Sequence, residues 1–178
     1  MPGASCVPKP GLSTWLFRAA AMPGSRATLE MARCLGEISH LTVLTNSLAI
    51  CKELAAHENI EILVLGGALR RQSASLVGHW VSEILRQVKV DQAFLGVNGL
   101  SAEFGLSAPN IYTAETRKAM IAAAHTRVAL ADHSKLGVET LFAVAPLDAL
   151  DLLITDAGAT TEQLAPLREQ GVEIMVAE

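Results

Sequence analysis

Asp132 and Lys135 are the two residues whose types and spacing point most directly to chemistry. They follow the apolar run RVALAD (127–132), so a carboxylate and an amine come directly after a predicted strand. Both charges would then face one crevice, where the carboxylate can accept from hydroxyl groups and the amine can hold an anion. A local ion pair or helix cap is the alternative. The strand-end position favours a ligand site.

Other predicted strands also end in small, amide or hydroxyl residues. Such turns leave backbone N–H groups free at the start of the next helix, where the helix dipole favours an anion such as a phosphate. The same residues have plainer uses, because Asn and Ser cap helices and Gly serves turns without any ligand. The candidate ligand-binding residues at these ends are Asn46, Ser47, Gly66, Gly67, Asn98 and Gly99.

Short apolar runs that alternate with helical patterns must position these residues. The runs predict strands buried on both faces at 41–46, 60–67, 92–99, 127–132, 151–156 and 172–177. Helical patterns occupy 28–36, 47–57, 76–87, 113–125 and 160–170. Strands that alternate with helices predict an α/β fold, with a mainly parallel sheet flanked by helices and with ligand chemistry at the carboxyl ends of the strands.

Length and composition predict one domain. The chain has 178 residues, of which 51% are hydrophobic and 18% charged, enough to bury a sizeable core. The proline-containing segment 1–14 is expected to be a tail, and 15–178 the domain. The apolar stretch Trp15–Met22 is interrupted by Arg18 and is too short for a signal peptide or a membrane span. We therefore expect a soluble, cytoplasmic protein that does not contact a membrane.

The net charge and the scattered histidines and cysteines argue against direct nucleic-acid binding and against a metal site. A net charge of −4 lacks the positive excess that holds a phosphate backbone, so direct binding to nucleic acid is not expected. The five histidines are scattered singly, and the three cysteines form no C-x-x-C pair. We therefore predict no metal and no cofactor, and we expect the cysteines to be reduced.

An ordered set of short motifs resembles the C-terminal effector-sensing domain of the DeoR family of bacterial transcriptional regulators. The match runs from about Thr28 to the C-terminus. No single motif is decisive, but seven in the right order make a specific signal. They are T-N-S (45–47), L-G-G-x-L-R (65–70), S-L-V-G (75–78), V-D-x-A-F-L-G-V-x-G (90–99), G-L-S-x-P-N (105–110), D-x-S-K-x-G (132–137) and L-I-T-D (153–156).

The resemblance implies a fold like that of ribose-5-phosphate isomerase, glucosamine-6-phosphate deaminase and the CoA transferases. It implies a phosphorylated sugar or polyol as effector and a separate winged helix-turn-helix domain that binds DNA. Residues 1–27 are too short for that domain, so DNA contact is expected only through a helix-turn-helix absent from this chain. The family's first phosphate loop maps to 21–28, where the usual acid is missing, Ser25 and Thr28 supply the hydroxyls and Arg26 adds a charge.

The loop that carries catalytic acids in isomerases of this fold is neutral here. It reads Val97–Ser101, and the two acid positions hold Asn98 and Ser101. Asn98 can hydrogen-bond a hydroxyl but cannot take a proton, so no catalytic residue is predicted. The leading hypothesis is a sensor that signals through the packing of a homo-oligomer, with apolar helical faces around 76–85 and 120–124. A phosphosugar isomerase and a ligand-blind oligomerisation remnant are the alternatives.

Overall fold

The computed structural model describes residues 19–38 and 40–177, which form an α/β fold with helices on both faces of a sheet. The helices are α1 (Arg26–Arg33), α2 (Leu48–Leu54), α3 (His79–Arg86), α4 (Ile111–Ala123) and α5 (Thr161–Glu169). The strands are β1 (Ala19–Met22), β2 (Leu41–Thr45), β3 (Ile60–Val64), β4 (Ala68–Arg70), β5 (Ser75–Val77), β6 (Val90–Gly96), β7 (Gly99–Ser101), β8 (Gly105–Ala108), β9 (Ala124–Ala131), β10 (Phe142–Ala145), β11 (Leu152–Asp156) and β12 (Glu173–Ala177). The predicted fold class is confirmed.

Seven strands form a parallel sheet in the order β12-β11-β9-β6-β1-β2-β3. From β1 the chain moves outward through β2 to β3, and it then returns to place β6 on the other side of β1. The direction of strand addition therefore reverses between β1 and β6. Ligands of open α/β sheets bind at such a reversal, outside the carboxyl ends of the strands. The topology thus singles out the loops that follow β1 and β6.

Successive side chains of the central strand β6 belong to two different apolar layers. Phe94 is completely buried in the layer that also contains Ala32 of α1 and Ile50 of α2. Leu95 is buried in the layer that contains Val81 of α3 and residues of α4 and α5. Because helices cover both faces of the sheet, the carboxyl-terminal halves of the central strands β6 and β9 are apolar and buried, which is why they are visible as continuous runs in the sequence.

The two edge strands of the sheet depart from the prediction that every strand is buried on both faces. In β3, Leu63 and Val64 are exposed, and in β12 Met175 and Val176 are exposed. An edge strand has a neighbour on one side only, and the flanking helices cover these edges incompletely. Apolar runs therefore predicted the strands correctly but not their burial.

Several short antiparallel strands were not predicted. β4 and β5 form a hairpin, and β10, β8 and β7 form a small separate sheet. The hairpin corrects the helix predicted at 76–87. Leu76 lies in β5 opposite Leu69, and helix α3 begins only after Gly78, whose φ of +114° suits glycine. Three residues of apolar pattern cannot distinguish the end of a hairpin from the first turn of a helix.

Three other predictions concern the chain ends, the cysteines and membranes. The predicted boundary between residues 14 and 15 lies outside the described residues. Cys51 is a free thiol, but Cys34 is disulfide-bonded, so the expectation that all cysteines are reduced is wrong for Cys34. Within 19–38 and 40–177, none of the helices has the length and apolar character needed to cross a membrane.

Candidate functional site

A cavity of about 410 Å³ lies at the reversal between β1 and β6, at the carboxyl edge of the sheet. Its size falls within the range of small-molecule sites. The strand-end loops contribute Pro23, Gly24, Ser25, Asn46, Val97, Asn98, Asp132 and Lys135 to its lining. Helices α1 and α4 add Arg26, Ala27, Thr113, Thr116 and Arg117, and the cap residue Asn110 precedes α4. The β4–β5 hairpin adds Arg70, Gln72, Ser73, Ser75 and Val77.

A second groove, of about 730 Å³, lies between α3 and α4. Leu85, Tyr112 and Ala119 are among its lining residues, and none of those described belongs to the loops at the carboxyl ends of the parallel strands. The smaller cavity is the better candidate because it lies at the topological reversal and gathers polar groups from four strand-end loops.

The loop after β1 brings Ser25 to the cavity and uses Thr28 to hold the loop in place. Ser25 is the N-cap of α1, where its Oγ accepts from the Thr28 N–H at 3.1 Å and its own N–H donates to Thr28 Oγ1 at 3.0 Å. The Thr28 hydroxyl donates to the Pro23 carbonyl at 2.6 Å and is fully buried. Ser25 therefore lines the cavity, whereas Thr28 fixes the shape of the loop.

At the end of β2, Asn46 lines the cavity, whereas Ser47 has a structural role. The Asn46 Nδ2 donates to the Leu76 carbonyl at 2.8 Å, which ties this loop to the hairpin, and its Oδ1 is buried without a donor in the described chain. Asn46 lines the cavity, so that oxygen can accept from a ligand hydroxyl. Ser47 caps α2, its Oγ accepting from the Ile50 N–H at 3.4 Å, and is not part of the lining.

The predicted glycines Gly66, Gly67 and Gly99 lie outside the lining of the cavity. A Cβ on Gly67 would stand 2.5 Å from the Val77 carbonyl oxygen, and one on Gly99 would stand 2.5 Å from the Val138 carbonyl oxygen. Close approach of backbone segments explains both glycines. The spacing of a strand-end glycine does not reveal whether its neighbour is a ligand or another loop.

Asp132 and Lys135 both line the cavity, at the two ends of a short 3₁₀ turn after β9. The Asp132 carboxylate accepts from the Ser134 N–H at 3.1 Å and from the Ser134 hydroxyl, which in turn accepts from Lys135 Nζ at 3.1 Å. The hydrogen bond from the Ser134 side chain, assisted by the nearby Lys135 charge, lowers the pKa of Asp132. The pair presents one ionised carboxylate and one ammonium group side by side.

Arg117, which sequence reasoning missed, is the most unusual residue of the lining. It lies on α4 with 2% exposure, and burial lowers the pKa of its guanidinium to about 10, so the side chain is still protonated at neutral pH. Its Nε and Nη1 atoms are buried without an acceptor in the described chain. The signal was present, because Ala114, Arg117 and Met120 follow helical spacing and place a cation on a buried apolar face.

The hairpin and the cap of α4 supply the other residues that were not predicted. Arg70 and Ser75 reach the cavity because the β4–β5 hairpin folds over the loop after β2, where the Leu76 N–H donates to the Asn46 carbonyl at 2.7 Å. Asn110 caps α4 through Oδ1, which accepts from the Thr113 N–H at 3.0 Å. The proline-asparagine pair before a helical pattern was the available signal for this cap.

Positive charge dominates the lining. Among the described residues that line the cavity, the basic side chains are Arg26, Arg70, Arg117 and Lys135, against the single carboxylate of Asp132. None of the described residues forms a cluster of His, Cys, Asp or Glu suited to a metal. The cavity is therefore suited to an anionic, hydroxyl-bearing small molecule.

Comparisons with known proteins give the family of the chain. A family model described as the DeoR C terminal sensor domain matches residues 23–157. A putative aga operon transcriptional repressor of Escherichia coli O157:H7 is 31% identical over 149 residues, which cover 84% of this chain and 55% of the repressor. The HTH-type transcriptional repressor GlcR of Bacillus subtilis strain 168 is 39% identical over 137 residues, which cover 77% of this chain and 53% of GlcR.

A solved D-ribose-5-phosphate isomerase has a TM-score of 0.47 and 19% identity, over 70% of this chain and 48% of the isomerase. The chain spans a little more than half the length of the two repressors it matches. The sensor-domain match covers most of the residues that the structure describes. The chain therefore belongs to the DeoR family, through its C-terminal sensor domain.

Proposed function

We propose that this chain is the effector-binding part of a sugar-responsive transcriptional regulator of the cytoplasm, and that its effector is a phosphorylated sugar or polyol. The observation that carries the proposal is the cationic cavity at the reversal between β1 and β6, with the first turn of α1 in its wall. The relatives named as HTH-type regulators support the regulatory role. In such a regulator, DNA would be bound by the helix-turn-helix domain.

The start of α1 is the part of the cavity best suited to a phosphate. Ser25 caps the helix through the Thr28 N–H, so the N–H groups of Arg26 and Ala27, which have no intrahelical acceptor, remain for a ligand. Gly24 brings backbone to the same wall, and Arg26 adds a full charge. Lys135 can contribute an ammonium donor to an anion from the β9 loop.

The cavity is better suited to binding than to isomerisation. Asp132 contributes the one carboxylate of the described lining, and its lowered pKa makes it a weak base. Asn98 lines the cavity with a neutral amide. Ser101, at the other predicted acid position, donates to Glu139 Oε1 at 2.8 Å and lies outside the lining. The cavity would therefore bind a sugar phosphate without a group suited to remove its proton, which agrees with a sensor better than with an isomerase.

Lys135 provides the direct test of this proposal. Lys135→Ala should abolish the thermal stabilisation that ribose 5-phosphate, glucose 6-phosphate or glycerol 3-phosphate gives, and should leave the melting temperature of the free protein nearly unchanged. A probe present at a hundred times its dissociation constant stabilises a fold by about 2.7 kcal/mol, and an exposed charge contributes little to stability. Thermal shift and calorimetry with the phosphorylated and unphosphorylated compounds measure both effects.

Lys52→Ala is the matched control, because Lys52 is an exposed lysine of α2 outside the cavity. Lys52→Ala should leave unchanged both the thermal stabilisation by the phosphorylated compounds and the melting temperature of the free protein. Stabilisation by none of the phosphorylated probes would refute the proposed function. Isomerisation of any of these sugars would identify an enzyme instead.

Signalling through a homo-oligomer is the second part of the proposal. The predicted apolar faces prove partly covered, since Val81, Leu85 and Met120 are buried within the chain. Trp80 on α3 remains 69% exposed, and Ile84 one turn further along α3 is also exposed. A large exposed aromatic residue beside an aliphatic one is typical of an interface between proteins.

Trp80→Glu should therefore lower the self-association of this chain. Sedimentation at micromolar concentration should show more than one chain per particle for the original protein and fewer for the variant. Leu141→Glu is the control, because Leu141 is 77% exposed and lies far along the chain from α3. A monomer before any substitution would rule out this interface.

A further inference from the structure

The Arg117 guanidinium is a buried charge that the described chain does not neutralise. Its Nε and Nη1 atoms are buried and have no acceptor among the described residues, and its side chain borders the cavity. A hydrogen-bonded water could satisfy these N–H groups, but water carries no counter-charge. Because a buried charge without a partner is strongly unfavourable, the missing negative charge is best supplied by a ligand.

We propose that Arg117 binds a carboxylate at the end of the ligand opposite its phosphate, so that the preferred effector is a phosphorylated sugar acid. The inference rests on the proposed function, because it assigns the phosphate to the start of α1. It adds the chemistry of the other end of the molecule. Arginine matches a carboxylate with two parallel N–H donors, a geometry that a neutral hydroxyl group cannot use.

The positions of the two helices place Arg117 and the phosphate site on different walls. α1 packs in the apolar layer on one face of the sheet, whereas Ala114 and Met120 of α4 pack in the layer on the other face. Arg26 is the first residue of α1, and Arg117 lies in the second turn of α4. A ligand that reaches both must extend across the carboxyl edge of the sheet, between the loops that follow β1 and β6.

The charges of the lining agree with two anionic groups. Four basic side chains face one carboxylate, that of Asp132, which Ser134 and Lys135 already engage. A phosphate monoester brings about −1.5 to −2 charges at neutral pH, which leaves part of the positive charge unmatched. A carboxylate of single charge supplies the remainder. The Asn46 Oδ1, buried without a donor among the described residues, can accept from a hydroxyl of the carbon chain between the two groups.

Pairs of compounds that differ only at the end remote from phosphate test the inference. Suitable pairs are glycerol 3-phosphate with 3-phosphoglycerate, ribitol 5-phosphate with 5-phosphoribonate, and glucitol 6-phosphate with 6-phosphogluconate. Calorimetry should give at least a tenfold lower dissociation constant for the acid in the pair whose length fits. The ratio within a pair cancels the contribution of the phosphate site.

Arg117→Met and Arg117→Lys separate binding from folding. Arg117→Met should reduce the ratio of the two dissociation constants, polyol phosphate over acid, to about one, while the polyol phosphate still binds. This variant should not lower the melting temperature of the free protein, because a buried charge is removed. Arg117→Lys should retain only part of the preference for the acid, because lysine keeps the positive charge but lacks the two parallel N–H donors of arginine. Arg168→Gln, at an exposed arginine of α5, should leave the ratio unchanged.

The outcomes distinguish this inference from the proposed function. Equal affinity for acid and polyol in every pair would overturn the role of Arg117 and leave the phosphosugar sensor standing. A preference for the acid that persists in Arg117→Met would also overturn it. Tighter binding of ribulose 1,5-bisphosphate than of 5-phosphoribonate would show that a second phosphate, and not a carboxylate, meets Arg117. Binding of none of the compounds would remove the proposed function as well.

Discussion

Replacing Gly96 with alanine should abolish the proposed binding of a phosphosugar and lower the free energy of unfolding by about 1–3 kcal/mol, the usual cost of overpacking. The new Cβ would stand 1.9 Å from Ser25 Oγ and 2.3 Å from Ser25 Cβ. Because the Cβ of Ser25 moves only with its backbone, the loop before α1 must shift. That loop forms one wall of the cavity and caps α1, so its displacement should weaken both ligand binding and stability.

Gly66→Ala is the matched control for this change. Gly66 also follows a parallel strand, but a Cβ there would meet no atom of the described residues within 4 Å. It lies outside the lining, so neither stability nor the thermal shift with glucose 6-phosphate or glycerol 3-phosphate should change. Urea unfolding and thermal shift measure the two quantities. Normal binding by Gly96→Ala would show that the loop after β1 does not hold the phosphate.

The parallel sheet was largely predictable because each of its central strands is buried on both faces. Runs such as LTVLTN and DLLITD lead directly to β2 and β11. Helix α4 was predicted within a few residues because its apolar spacing persists over thirteen residues. Strand β1 was not predicted as a strand, because AAAM consists of residues that are equally common in helices.

The antiparallel pieces were less predictable because their stability comes from distant partners. β7 and β8 are short strands of small residues, and β10 reaches them from more than thirty residues further along the chain. A three-residue strand contains too little of the alternating pattern to be recognised. The wrong start of the helix predicted at 76–87 has the same cause.

The lining of the candidate cavity was predictable where the strand-end rule applies and unpredictable elsewhere. Ser25, Asn46, Asn98, Asp132 and Lys135 all reach the cavity from loops that follow strands of the parallel sheet. The other predicted residues do not line it, because the same loops also need caps and close backbone contacts. The buried cation on α4 and the residues of the β4–β5 hairpin come from elements that the rule does not cover, and tertiary packing alone brings them to the cavity.

Phe94→Ala should produce the largest loss of stability of any substitution considered for this chain, about 3–5 kcal/mol. Phe94 lies on the central strand β6 between β1 and β9, and it is fully buried in the layer that α1 and α2 share with the sheet. Truncation leaves a cavity in a layer whose backbone is fixed by hydrogen bonds on both sides of the strand, so little relaxation can follow. Chemical denaturation should show a lower midpoint, and the melting temperature should fall by about 6–20 °C.

Phe104→Ala supplies the control for that loss, because Phe104 is 38% exposed in the turn between β7 and β8. The same atoms are removed there without an enclosed cavity, so its unfolding free energy should fall by clearly less. Comparable losses in the two variants would mean that the layer beneath α1 and α2 is looser than the structure shows. The difference between them isolates the packing of the central strand, which holds the loop after β6, and with it Asn98, against the loop that carries Ser25.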